Sequence, residues 1–258
     1  MDIASVCGIL LALLGILGGM MMEGGSIAQI AQPTAALIVF CGTGGAVMLQ
    51  FPMPIFVAAI KQVVRVFTVD PASAETTLKQ IVEFANKARK FGIVSLDLDL
   101  PQVNDSFMKQ ALMLAVDGVE PSQIRQIMHL ELENGAEIEE KIAAVFEAAG
   151  GYSPTVGIIG AVLGLIQVMQ HLANIDEVGR GIAVAFVATI YGVGLANLVC
   201  LPIAGKLKIK HREEQVIKEM VLEGIVSILE GMNPRMMELK LRTFLFQANA
   251  AGERDGAA

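Results

Sequence analysis

The chain has 258 residues, of which 54% are hydrophobic and only 17% charged, with no tryptophan and a mean hydropathy of +0.60. That is more apolar side chain than a water-soluble core requires, and it points to a membrane protein. The net charge of -7 excludes a nucleic-acid partner, because a phosphate backbone demands a basic surface and no charge run here is strongly basic.

A bilayer core about 30 Å thick takes roughly 20 apolar helical residues, so uncharged runs of that length can be counted along the chain. The first is Ile3 to Met22. No basic residue precedes it and no A-x-A-like site follows it, so it reads as a retained span and not a secretion signal. The second runs from Thr34 to about Ile60, followed by Lys61 and Arg65. Inside it, Cys41-Gly42-Thr43-Gly44-Gly45 has the glycines of a phosphate loop but no following lysine, and its place in an apolar run makes them packing glycines.

The central region, residues 61–147, alternates turn signals with amphipathic stretches. Asp70-Pro71 predicts a helix start by the N-cap and N1 rules, with Leu78, Ile81, Val82 and Ala85 on one face. Glu120-Pro121 predicts another, whose Ile138, Ile142, Val145 and Ala149 keep helical spacing, so it should run unbroken into the third span, Ala148 to Gln170. The fourth span is Gly181 to Gly205, followed by Lys206, Lys208, Lys210 and Arg212. In the tail, Ile217, Met220, Val221, Ile225 and Ile228 repeat the same period.

The expected fold is therefore an all-α membrane protein. Residues 1–60 and 148–205 form two pairs of transmembrane helices. Residues 61–147 and the tail 206–258 together form a helical domain, essentially without strands. Of the 19 basic residues, 18 lie in the central loop or the tail, and the segments between spans 1 and 2 and between spans 3 and 4 hold none and only Arg180. By the positive-inside rule the central region and both termini are expected in the cytoplasm.

No span contains Asp, Glu, Lys or Arg. Ion-carrying membrane proteins retain such groups because the cost of burying them is accepted only for a role. If this chain moves ions, either a carboxylate comes from another subunit or the path is built from hydroxyls, carbonyls and water.

Spans 3 and 4 are rich in small residues, among them Gly157, Gly160 and Gly164 in one and Ala183, Ala185, Ala188, Gly192, Gly194 and Ala196 in the other. Such faces let helices approach closely in lipid, either within one subunit or against a neighbour. Pro154 and Pro202 each remove a backbone donor near the cytoplasmic ends of spans 3 and 4, where a bend can pass change between membrane and cytoplasm. Cys7, Cys41 and Cys200 read as small core residues of a reduced protein. His129, His171 and His211 read as surface histidines, since none has a partner at ligand spacing. No nucleophile and base pair supports hydrolysis, so no enzymatic activity, metal or organic cofactor is expected.

The segments Phe146-Glu147-Ala148-Ala149-Gly150-Gly151-Tyr152-Ser153-Pro154, Gly157-Ile158-Ile159-Gly160, Val184-Ala185-Phe186-Val187-Ala188-Thr189-Ile190-Tyr191-Gly192 and Ala196-Asn197-Leu198-Val199-Cys200-Leu201-Pro202-Ile203-Ala204 resemble the flagellar motor stator family of MotA and its sodium-type relative PomA. Ala88-Arg89-Lys90-Phe91-Gly92, Asn104-Asp105-Ser106-Phe107 and Val116-Asp117-Gly118 add to the resemblance. It implies a homo-oligomeric inner-membrane subunit, five copies around two of MotB. MotB supplies the proton-binding aspartate on its single span and anchors the unit to peptidoglycan. It also implies that Pro154 and Pro202 couple ion passage to torque, and that Arg89, with Lys90 beside it, meets the rotor protein FliG. Asp97 stands where the family usually has Glu.

Sodium-type members carry threonines near the path, whose hydroxyls can replace part of the ion's hydration shell. Here two of those positions are Ala161 and Ala188, and only Thr189 remains, so proton drive is expected. Two other readings stay open. One is an energiser of the ExbB or TolQ kind, which has three spans and an outside N-terminus where this chain has four spans. The other is a self-contained channel or transporter, against which the uncharged spans stand.

Overall fold

The computed structural model describes residues 2–68 and 74–254, with side chains through residue 245. Helices dominate, and no strand occurs among the described residues. In chain order they are α1 (Ile3–Met22), α2 (Pro33–Gln50), α3 (Met53–Phe67), α4 (Ala74–Phe91), α5 (Ser106–Val116), α6 (Pro121–Gln170), α7 (Ile175–Leu229) and α8 (Pro234–Arg254). A short helical turn, Ile27–Ile30, precedes α2, and a 3-10 segment, Ile93–Gln102, lies between α4 and α5. Four helices, α1, α2, α6 and α7, are long and apolar enough to cross a membrane.

One expected boundary changes. The second span does not run to Ile60: α2 stops at Gln50, and Phe51 is extended at φ -113° and ψ 142°. Phe51 precedes Pro52, whose ring disfavours the α region for the residue before it, so the chain breaks there and restarts at α3. The Asp70-Pro71 start lies outside the described residues, and the helix carrying Leu78, Ile81, Val82 and Ala85 is described from Ala74. By contrast, Pro121 opens α6 as its first residue, where its missing N–H costs nothing, and the helix continues through Pro154 to Gln170 as one 50-residue element.

The chain divides into two compact units, Met1–Val69 with Glu140–Leu207 and Asp70–Glu139 with Lys208–Ala258. The helices α6 and α7 contribute residues to both. In the first unit, Val47, Ala59, Val66, Ile142, Ala143, Val145, Ile203 and Leu207 form one buried cluster, and Ala35, Val39, Val187 and Ala188 another. The helix α1 buries none of its residues within the chain.

The glycines of span 3 meet α7 of the same chain. A Cβ added at Gly157 would lie 2.8 Å from the carbonyl oxygen of Ala188 and 3.2 Å from Cα of Gly192. One added at Gly160 would lie 2.8 Å from the Ala188 methyl, and one at Gly164 2.8 Å from the carbonyl oxygen of Gly181. Of the two roles open for these glycines, packing within the subunit is what the chain displays. Gly42 packs likewise, its notional Cβ 2.8 Å from Val156, whereas Gly44 and Gly45 face open space.

The second unit has a single large core. It joins Leu78, Ile81, Phe84 and Ala85 of α4, Leu96 of the 3-10 segment, Phe107, Met108, Ala111, Leu112 and Ala115 of α5, Ile124, Met128 and Leu132 of α6, Met220, Val221, Leu222, Ile225 and Val226 of α7, and Met237 and Leu241 of α8. Central loop and tail thus form one body around a shared core. Three of its helices are pinned by charge. Arg125 of α6 and Lys240 of α8 both donate to the carboxylate of Glu223 on α7, Arg125 also lies 3.7 Å from Glu230, and Lys240 Nζ lies 3.4 Å from the Ser227 hydroxyl. Hydrogen bonding from Arg125 holds the Glu223 carboxyl below its ordinary range.

The cysteines and one histidine depart from expectation. Cys7 and Cys41 are exposed on the isolated chain and only Cys200 is buried, since α1 and part of α2 turn a face away from the subunit. His211 is buried, while His129 and His171 remain at the surface, 3.5 Å from Glu133 and Glu177 respectively.

Replacing Gly164 by Ala should destabilise the first unit by about 1–3 kcal/mol, because backbone atoms cannot move aside for the methyl. Gly194→Ala, with nothing within 4 Å, should be neutral or slightly stabilising in thermal unfolding of the detergent-solubilised protein. Glu223→Gln should cost about 1.5–3 kcal/mol at neutral pH. Because the folded carboxyl titrates below its unfolded value, its contribution is present above the ordinary carboxylate range and lost as pH falls through the folded value, so wild type and variant should converge in acid.

Candidate functional site: two helix breaks and a charged helix end

Pro154 lies within α6 and has no N–H to give the carbonyl four residues before it, that of Gly150. The neighbouring polar groups are engaged around this gap. Thr155 Oγ1 donates to the Tyr152 carbonyl at 2.7 Å, and the Tyr152 hydroxyl donates to Gln50 Oε1 at 2.8 Å, tying the end of α2 to α6. Ser153 is completely buried and its hydroxyl has no protein partner.

Pro202 sits in α7 two residues after the end of a π-helical segment, Leu195–Cys200. A π turn is wider than an α turn and is a common mark of functional strain in helices. Its extra residue loosens the ladder where the proline ring would otherwise press on the carbonyl of Leu198, so two local weaknesses adjoin. Asn197 Nδ2 donates to the Val193 carbonyl at 3.0 Å, supplying one of the carbonyls that the altered ladder leaves underused. A second π segment, Leu37–Cys41, lies in α2, and its Ile38 packs 3.3 Å from the place a Gly160 Cβ would take.

The three positions considered for ion choice are not equivalent. Ala188 is fully buried against Gly160 and Gly157, so it faces the interior of the subunit. Ala161 and Thr189 are partly exposed, and Thr189 Oγ1 donates to the Ala185 carbonyl at 3.2 Å within its own helix.

In the second unit, Arg89 and Lys90 occupy the last turn of α4, where cations complement the helix dipole. Gly92 then reverses the chain at φ +83°, a conformation that favours glycine, and starts the 3-10 segment that carries Asp97. Arg89, Lys90 and Asp97 are all exposed, while Lys87 and Asp99 beside them form an ion pair at 2.6 Å. Leu96 is completely buried, which turns Asp97 outward on the next step of the segment. The fold therefore brings both signs of charge to one end of α4.

Sequence reasoning missed several participants. Tyr191 bonds through its hydroxyl to the Ile30 carbonyl and, at 3.4 Å, to the Gln32 N–H, while its ring lies 6.1 Å from that of Phe40, so one side chain of α7 clamps the start of α2. The π segments carry no composition signal. Asp2, which caps α1 and pairs with Lys206, was not singled out either.

Residues 6–92 match the model described as motility protein A N-terminal, and residues 99–220 that of the MotA/TolQ/ExbB proton channel family. The chain is 38% identical over 250 residues to motility protein A of Bacillus subtilis, covering 95% of this chain and 91% of the relative. It is 31% identical to chemotaxis protein PomA of Vibrio alginolyticus, covering 95% and 99%. Among solved structures, MotAB of C. jejuni superposes with a TM-score of 0.89 at 31% identity over 95% of this chain and 96% of that one. The flagellar MotAB stator complex of Bacillus subtilis superposes with a TM-score of 0.85 at 36% identity over 93% and 95%. With both halves matched and four membrane helices joined to one helical unit, the chain belongs to the motility protein A family.

Proposed function

We infer that this chain is a stator subunit of the bacterial flagellar motor, which works with a MotB subunit to couple ion flow across the inner membrane to torque on the rotor. The observation that carries the reading is the near-complete superposition on the chains of two MotAB stator complexes, spans and helical unit together. It explains the spans without Asp, Glu, Lys or Arg: the ion-binding carboxylate belongs to the partner's helix. Five copies of the chain around two of MotB is the assembly that the family resemblance implies. The distribution of Lys and Arg supports placing both termini and the helical unit in the cytoplasm, where the rotor protein FliG is reached.

In this reading Pro154 and Pro202 are the coupling points. Each lacks the N–H that would stiffen its helix, and the π segment beside Pro202 adds slack, so a small displacement near the ion path becomes a bend rather than a strain spread along the helix. Arg89, Lys90 and Asp97 form the rotor-facing patch. Charges of this sort chiefly set encounter rate and register, which suits a contact remade at every step. The coupling ion is the proton, because Ala161 offers no oxygen ligand and Thr189 alone cannot replace a sodium hydration shell, while Ala188 is buried inside the subunit.

In a strain lacking its own stators, Pro154→Leu and Pro202→Leu should each abolish rotation while co-purification with the partner persists; continued rotation would remove the coupling role. Reversing the charge of Arg89 or Asp97 should impair swimming, with partial rescue by the opposite reversal on the rotor. Swimming speed should be unchanged in sodium-free buffer, and loss of rotation there would overturn the proton assignment.

A further inference from the structure

Asp2 is a four-way junction. Its carboxylate caps α1 by accepting from the Ala4 N–H at 3.2 Å, accepts from the Ser5 hydroxyl at 2.9 Å and pairs with Lys206 Nζ at 2.6 Å, while its own N–H donates to the Phe67 carbonyl at 2.9 Å. One residue therefore joins the first turn of α1, the last residue of α3 and α7. The Asp2 side chain is only 16% exposed and that of Lys206 33%, so the pair is better shielded than the exposed ion pairs of the helix surfaces. The position of Lys206 gives the contact its meaning. It lies one helical turn beyond Pro202 and thus immediately past the weak stretch formed by the π segment and the proline. Since α1 buries none of its residues within the chain, the junction at Asp2 gives it a polar attachment to the subunit.

We propose that the Asp2–Lys206 pair is a positioning latch that fastens α1 and the end of α3 to α7 just beyond its bend point, so that displacement of α7 at Pro202 carries these two helices with it. The inference rests on the reading of Pro202 as a coupling point. The hydrogen bond from Lys206 holds the Asp2 carboxyl down at about 2, so Asp2 stays a carboxylate throughout the pH range in which cells swim.

The test uses the full chain expressed with its partner in cells that lack stators, reading rotation speed of tethered cells alongside membrane abundance and co-purification. Asp2→Asn and Lys206→Gln should each slow rotation severalfold with abundance and co-purification unchanged. The double variant should be no slower than either single one, because both remove the same interaction, and Lys206→Arg should keep nearly full speed. Additive losses, wild-type speed in either single variant, or slowing matched by loss of assembled complex would each overturn the latch. Failure of the wild-type chain to restore rotation would instead count against the stator reading itself.

Discussion

The structure depends on how closely α6 and α7 can approach. At Gly157 and Gly192 the two backbones are so near that a single methyl on either would strike the other's main chain, and Gly164 against Gly181 repeats the arrangement two turns along. In lipid no hydrophobic effect drives helices together, so close backbone contact of this sort supplies much of the association. A rigid seam between the two helices leaves the freedom to bend elsewhere. Pro154 and Pro202, the latter with its π segment, are where backbone hydrogen bonds are missing by construction, and the proposed bending falls there. Rigid crossing and adjacent weak points belong together: a bend works as a lever only if the helix pair does not simply slide apart.

The same logic separates the two units. The first is held by small residues and buried backbone, and its polar groups are few and specific, such as the Tyr191 clamp on the start of α2. The second is an ordinary water-type core of Leu, Ile, Met and Phe, locked by the Arg125, Glu223 and Lys240 network. Its charged end at Arg89, Lys90 and Asp97 is displayed on a turn that only a glycine at position 92 makes easily.

The spans, their count and the helix through Pro121 to Gln170 were legible because length, charge and proline position are local signals. The break at Phe51-Pro52 was legible in principle too, but an uninterrupted apolar run outweighed it in the reading. What the sequence did not disclose was pairing. Ala188 looked like a lining position and is buried against Gly160, His211 looked like a surface residue and is buried, and neither fact follows from spacing along one helix. The partner of Asp2 was hidden for the same reason, since Lys206 lies 204 residues away and one of four cations in a row marks nothing. The candidate coupling prolines were found from their place near the ends of spans 3 and 4, while the π segment beside Pro202 carries no residue signature.

The central claim is that this chain supplies a shaped, uncharged half of an ion path whose titrating carboxylate is on another subunit. Proton flux in liposomes tests it most directly. Vesicles holding this chain alone should keep an imposed pH gradient, vesicles holding it with the single-span partner should dissipate it, and replacing the partner's membrane carboxylate by the amide should restore retention. Dissipation by this chain alone would contradict the account.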